Sequence, residues 1–157
     1  MKKLQHFSTA GVLAGASVCM ALFSFSLLPG AHSFQVYLDN KLMLEQYVSS
    51  KTQVPKLWID PASSARQLSV RYNECGRTVS GRRLAIHDDK GKVLKEWQYE
   101  GTTSGFKDAM TCPVKDILSL KPEAGHPLEL YYSSNDFSQG QLVVHLMIGT
   151  EPRASLK

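Results

Sequence analysis

Short stretches of alternating apolar and polar residues, separated by turn signals, recur along most of this chain. The pattern is clearest in Gln141–Gly149, where Leu142, Val144 and Leu146 share one face. Successive side chains of a β-strand point to opposite faces, so a period of two residues indicates strands. No long helical period and no βαβ pattern is present. The sequence therefore predicts an all-β protein, an antiparallel β-sandwich of seven to nine strands that is immunoglobulin-like in the broad sense.

Turn residues set the boundaries of the predicted strands. Pro55 lies inside one strand-like segment, which should be an edge strand or a connector because proline lacks the N–H that a central strand donates. Val114–Leu120 is expected to form one helical turn that runs into a short strand. The last strand is apolar on both faces, so it should be central and covered on both sides. The predicted strands are Phe34–Leu38, Lys41–Val48, Val54–Ile59, Gln67–Asn73, Arg83–His87, Lys92–Tyr99, Leu128–Ser133 and Gln141–Gly149.

The first 33 residues have a different character. Met1-Lys2-Lys3 is a positive start, Gly11–Leu28 is apolar and uncharged, and Pro29-Gly30 then breaks any helix. Ala31-His32-Ser33 offers small residues to a peptidase, so residues 1–33 are predicted to be a helical signal peptide. An uncleaved anchor is the alternative, since about 18 apolar residues approach the length of a membrane span. Cleavage would leave no membrane span and a periplasmic or secreted protein.

The mature chain would contain one domain. Residues 34–150 are long enough to bury a core, and 151–157 are expected to form a flexible C-terminal tail. Loss of Lys2 and Lys3 lowers the formal charge from +4 to +2, and the other basic residues are spread along the chain. Nucleic-acid binders gather basic residues on one face, so no nucleic-acid partner is predicted.

Two cysteines remain in the mature chain, Cys75 and Cys112. An even pair in a small exported domain predicts one structural disulfide. The bridge would close a loop of 38 residues, which is worth about 4 kcal/mol in the chain-entropy model. A zinc-binding or nucleophilic pair is the alternative, but the chain has no Cys-x-x-Cys spacing and no clustered histidines.

The sequence contains no assembled catalytic set. It lacks Gly-x-Ser-x-Gly, and its mature histidines, His87, His126 and His145, are scattered without ligand spacing. Calcium ligands could come from loop carboxylates such as Asp88-Asp89, but aspartate in a turn is already explained by its bonds to the local backbone. Hence no catalytic residue, metal ligand or cofactor is predicted.

A group of arginines around Cys75 is a candidate partner-binding site. Arginine suits planar, bidentate contacts with carboxylates or phosphates. The alternative is a solvated charged rim with no dedicated partner. The candidate residues are Arg71, on the outer face of its strand, with Arg77, Arg82 and Arg83.

Three aromatic residues form a candidate platform for a sugar ring: Trp97, Tyr99 and Tyr131. Trp97 and Tyr99 are two residues apart on one strand face, and Tyr131 is predicted to face outward. The alternative is that Trp97 and Tyr99 face inward as core, where aromatic side chains bury a large area.

These features favour a small exported bacterial protein that acts as a non-enzymatic binding or accessory module. Its partner would be an unidentified protein or glycan of the cell envelope. One alternative is a carbohydrate-binding module that uses exposed aromatics. A further alternative is a small secreted enzyme or enzyme inhibitor whose site is built by loops such as Gly101–Asp108.

Overall fold

A computed structural model describes residues 32–49, 53–75, 77–101, 108–120, 122 and 125–152. The described residues are mostly β, which confirms the expected all-β class. They form nine strands and one short helix: β1 (Ser33–Leu38), β2 (Lys41–Tyr47), β3 (Lys56–Ile59), β4 (Gln67–Asn73), β5 (Arg82–His87), β6 (Val93–Tyr99), β7 (Met110–Pro113), α1 (Val114–Ser119), β8 (Leu128–Ser133) and β9 (Gln141–Ile148).

The strands form two sheets, in the orders β2-β1-β4-β7 and β3-β9-β8-β5-β6. The prediction of a purely antiparallel arrangement is wrong at one pair, because β3 runs parallel to β9. The other pairs are antiparallel. Since β3 and β9 are far apart in the chain, no hairpin imposes an antiparallel direction on them. β3 lies at the edge of its sheet, which is one of the two positions expected for a segment that contains Pro55.

The inward faces of both sheets make one hydrophobic core. Tyr72 of the four-stranded sheet stacks on Tyr132 of the five-stranded sheet, with 3.9 Å between ring centroids. Burial of each large aliphatic side chain contributes about 1.5–3 kcal/mol, so this sandwich-like core is the main source of stability. The largest fully buried side chains include Val36, Leu68, Val70, Leu84, Ile86, Leu130 and Leu146.

β1–β2 and β5–β6 are antiparallel hairpins, and aspartates fix their turns. Asp39 has φ +52° and its Oδ1 accepts backbone N–H groups of Arg66 and Gln67, each at 3.0 Å, which ties the β1–β2 turn to β4. In the β5–β6 turn, Asp88 Oδ1 accepts the N–H groups of Lys92 and Lys90 at 2.8 and 2.9 Å. The bond from Lys92 is the largest cause that lowers the pKa of Asp88.

Two local predictions need correction. The segment Val114–Leu120 does contain a helix, but strand β7 precedes that helix and no strand follows it directly. The strand β9 has neighbours on both sides, but His145 and Met147 on its outer face are only half-buried.

The predicted disulfide is absent. Cys75 is an exposed thiol and Cys112 is a buried one. Cys112 pairs with Leu68 across the sheet, and Leu68 precedes Cys75 by seven residues along β4 and the turn after it. At about 3.3 Å per residue the two cysteines are roughly 20 Å apart. A disulfide needs Cα atoms within about 7 Å, so the β4–β7 pairing in this structure does not bring the two cysteines to bridging distance.

Several predicted features fall outside the described residues. Residues 1–31 of the expected signal peptide, 102–107 of the Gly101–Asp108 loop and 153–157 of the expected tail are among them. His32 and Ser33, which the predicted leader included, belong to the folded domain: Ser33 opens β1 and is buried. Among the described residues, no helix is long and apolar enough to cross a membrane.

Candidate functional site

The centre of the outer face of the four-stranded sheet is polar. Along β1 and β4, successive side chains point to opposite faces of the sheet. Val36 and Val70 are buried in the core, so the residues before and after each of them in sequence point away from the core. Arg71 was predicted to face outward, and the register confirms this because it lies opposite Gln35. The outward side chains at the centre of this face are Gln35, Tyr37, Ser69, Arg71 and Thr111.

Hydrogen bonds fix most of these side chains. The Tyr37 hydroxyl donates to Gln35 Oε1 at 2.9 Å, and Gln35 Nε2 donates to Glu45 Oε1 at 2.9 Å. On the neighbouring pair of strands, the hydroxyl oxygens of Ser69 and Thr111 lie 3.0 Å apart. The face therefore presents a preorganised set of hydroxyl and amide groups.

Arg71 is the exception in this network. Its guanidinium carbon lies 5.0 Å from the centre of the Tyr37 ring, a cation–π contact. Its Nε is buried and has no hydrogen-bond partner among the described residues. None of the salt bridges between described residues includes Arg71. A buried polar group without a partner costs about 1–3 kcal/mol, so a ligand oxygen at this nitrogen would be stabilised.

A groove of about 240 Å³ runs over this face, and we call it the polar groove. The β1–β2 turn, Asp39-Asn40, forms one end of it. No histidine or lysine is among its described lining residues. They are Tyr37, Asp39, Asn40, Gln67, Ser69, Arg71, Ala109 and Thr111.

A second groove of about 520 Å³ lies on the other side of the same turn. It shares Asp39 and Asn40 with the polar groove, and we call it the Trp58 groove. Trp58 is half-buried and stands near Leu38 and Met43, where edge strands of the two sheets approach each other. Trp58 was not among the residues that the sequence predicted to form a site. It lies between the inward Leu57 and Ile59, so the alternation along β3 places Trp58 on the outer face.

The predicted arginine site is not one surface. Arg82 is only 4% exposed, and it donates to the backbone oxygens of Glu100 at 3.0 Å and Asp108 at 3.1 Å. It therefore holds both ends of the 100–108 segment and cannot meet a partner. Arg83 lies on the outer face of the other sheet, and Arg77 is exposed in the turn after β4. Only Arg71 lines the polar groove.

The predicted aromatic platform is also divided. Trp97 pairs with the buried Leu84, so it faces inward and packs against the core. Tyr99 packs there too, and its hydroxyl donates to the backbone oxygen of Thr111 at 2.8 Å, which joins the two sheets at one edge. Tyr131 faces outward, as predicted, from the opposite side of the sheet. The three rings cannot contact one ligand together.

Tyr131 belongs to a cross-strand cluster on the outer face of the five-stranded sheet. Its ring stacks on His87 at 4.4 Å, and its hydroxyl donates to Glu129 Oε2 at 3.2 Å. His145 Nδ1 lies 3.9 Å from Glu129 Oε1 and makes no hydrogen bond to a described residue. Across the described part of the chain, no three His, Cys, Asp or Glu side chains are grouped so that they could hold a metal ion.

The sequence predicted correctly that the Arg71 side chain faces outward, but it did not predict which side chains lie around Arg71. Ser69 and Thr111 are adjacent only because β4 pairs with β7, and β7 was not among the predicted strands. Comparison of the chain with protein-family models and with curated protein sequences gave no match in either case.

Proposed function

We propose that this protein is an exported, non-enzymatic binding module that holds its ligand in the polar groove. One observation carries the proposal: Arg71 places a half-buried cation, with an unbonded Nε and no described counter-ion, among hydroxyl and amide side chains. Buried polar atoms are nearly always paired, and an unpaired one needs a reason. A ligand acceptor supplies that reason.

Binding suits this groove better than catalysis. The Ser69 and Thr111 hydroxyls bond to each other, and the described lining residues of the groove include no histidine that could act as a base toward either. The Asp39 carboxylate accepts two backbone N–H groups, so it supports the turn. A general base must reach the proton it removes, and the described lining offers no such nucleophile–base pair.

The periplasmic or extracellular location is part of the proposal. The positive start, apolar run and small residues of positions 1–33 support export. We also propose that the fold is immunoglobulin-like in the broad sense, which two facing sheets of four and five strands support. The partner is a protein or glycan of the cell envelope.

A carbohydrate-binding module is the second candidate, and the Trp58 groove favours it. A half-buried tryptophan beside Asn40 and Asp60 offers an apolar ring next to polar side chains, as small-molecule sites commonly do. A loop-built enzyme or inhibitor site in Gly101–Asp108 stays a prediction.

Retention on immobilised protein tests the proposal. The exported protein, its Arg71→Gln variant and its Arg83→Gln variant would be immobilised at equal density and exposed to a cell-envelope extract. We expect the wild type and Arg83→Gln to retain the same envelope component, and Arg71→Gln to retain at least tenfold less. Arg83 is the matched control because it lies on the opposite outer face. Equal retention by all three proteins would refute the use of the polar groove.

A further inference from the structure

We propose that the polar groove binds the carboxylate of an acidic sugar unit, with Arg71 as the residue that contacts it. This inference rests on the proposed function and names its ligand class.

The charge of the groove selects a single carboxylate. Arg71 is the only cation among its described lining residues, and Asp39 is an anion in the same lining. A doubly charged phosphate would meet Asp39 without a second cation to balance it, whereas a monoanionic carboxylate is matched by one guanidinium. Arginine binds carboxylates through two parallel N–H donors. The buried Nε becomes one of these donors when the guanidinium tilts away from the Tyr37 ring.

The remaining side chains fit sugar hydroxyls. Ser69, Thr111, Gln67 and Asn40 carry groups that both donate and accept hydrogen bonds, as a sugar hydroxyl does. The volume of about 240 Å³ is below the roughly 300 Å³ at which pockets for drug-sized ligands begin, so it suits one ring. A peptide is less favoured because peptides that add to sheets pair with a strand edge, and this groove lies on a sheet face.

The neighbouring groove extends the site. The Trp58 groove begins at the same Asp39-Asn40 turn, so a second unit of an oligosaccharide would reach Trp58 while the first unit contacts Arg71. An aromatic ring offers an apolar surface to one face of a sugar. An acidic trisaccharide should therefore bind more tightly than the acidic monosaccharide.

Calorimetric titration of the exported protein tests the inference with two matched probes. A galactose trisaccharide whose terminal unit is galacturonate and the same trisaccharide built of galactose alone differ only at C6 of that unit, which is a carboxylate in one probe and a hydroxymethyl group in the other. We expect the acidic probe to bind at least tenfold more tightly, and Arg71→Gln to remove that difference while Arg83→Gln keeps it. Binding of the acidic probe should also weaken as salt is raised. Equal affinity for the two probes, or an unchanged preference in Arg71→Gln, would overturn the inference.

Two further arms separate the possible failures. If acetate binds as tightly as the acidic trisaccharide, Arg71 is a carboxylate site without sugar recognition, and the sugar class is wrong. If neither trisaccharide binds but envelope retention still depends on Arg71, the acidic-sugar inference fails and the binding module stands. If retention is also independent of Arg71, both fail. Thr111→Val serves as a second variant should Arg71→Gln not fold, and it should weaken binding of the acidic probe at least threefold; unchanged binding in Thr111→Val would count against the groove.

Discussion

Cys112 Sγ lies 3.6 Å from the backbone oxygen of Leu68, inside the core and far from Cys75. Burial raises the pKa of the Cys112 thiol to about 12, so at pH 8 almost none of it is the reactive thiolate. The exposed Cys75 has no such protection from solvent. In the chain that the proposed signal cleavage would leave, which lacks Cys19, we therefore expect one thiol to react with Ellman's reagent at pH 8 in the native state, and two in denaturant without reductant.

Cys75→Ser is the control for this thiol count, because it should leave no reactive thiol in the native state and one in denaturant. Two unreactive cysteines in denaturant, with a mass that rises on reduction and alkylation, would show that the bridge forms after all and that β4 and β7 pair differently.

Arg82 should matter for stability and not for partner binding. Replacement by alanine removes two charge-assisted hydrogen bonds that the guanidinium donates to the backbone oxygens of Glu100 and Asp108. We expect the free energy of unfolding to fall by about 2–4 kcal/mol, measured by urea denaturation. Arg83→Ala is the matched control and should cost less than about 1 kcal/mol, because Arg83 is partly exposed. Similar losses in the two variants would contradict the anchoring role of Arg82.

Stability should decline at alkaline pH. Burial is the main cause that raises the pKa values of Tyr72, Tyr99 and Tyr132 above the usual 10.0. Above that pH the unfolded chain releases protons that the native protein keeps, so each further pH unit lowers the free energy of unfolding. The limit for one group is about 1.4 kcal/mol per pH unit.

Tyr99→Phe isolates one of these contributions. It should be less stable at pH 7, because the hydrogen bond to the Thr111 oxygen is lost, but its stability should fall less steeply above pH 10. Urea denaturation at pH 7, 9, 10 and 11 measures both effects. A wild-type stability that is flat from pH 9 to 11 would contradict the burial of these hydroxyls.

The mature protein should begin at or before His32. The His32 backbone oxygen accepts the N–H of Val48 at 2.7 Å, and its Nδ1 lies 3.1 Å from the Tyr72 hydroxyl. Removal of His32 and the buried Ser33 would cost about 1–2 kcal/mol. Intact-mass measurement of the exported protein would show the N-terminus, and a start at Phe34 would contradict the expectation.

Structural features that depend on residues close together in the sequence were predicted well. The alternation in Gln67–Asn73 gave β4 with correct faces, and the turn at Asp88–Gly91 lies between β5 and β6, with Gly91 at a positive φ of 77° that glycine adopts without strain. Local sequence chemistry is sufficient there, because turn residues and side-chain direction are set within a few residues.

Relationships between distant segments could not be obtained in that way. The even pair of Cys75 and Cys112 suggested a bridge, but the β4–β7 register decides their separation. Likewise, Arg82 and Arg83 are adjacent in sequence and point to opposite faces of the sheet. Arg82 is buried and supports the fold, whereas Arg83 is partly exposed on the outer face. The polar groove is formed where β1, β4 and β7 lie side by side. The period of two residues predicts strands but does not predict which strands are neighbours in a sheet.

The parallel pairing of β3 with β9 has a consequence for how the chain matures. β3 is made early in synthesis, yet its only sheet neighbour among the described strands is β9, the last of them. Until residue 148 has emerged, β3 has no complete partner strand in its own sheet. Pairing between such distant segments is slow, because the loop between them must close first. The five-stranded sheet therefore stays incomplete through most of the synthesis of the chain, a condition that would suit the proposed export of an extended chain.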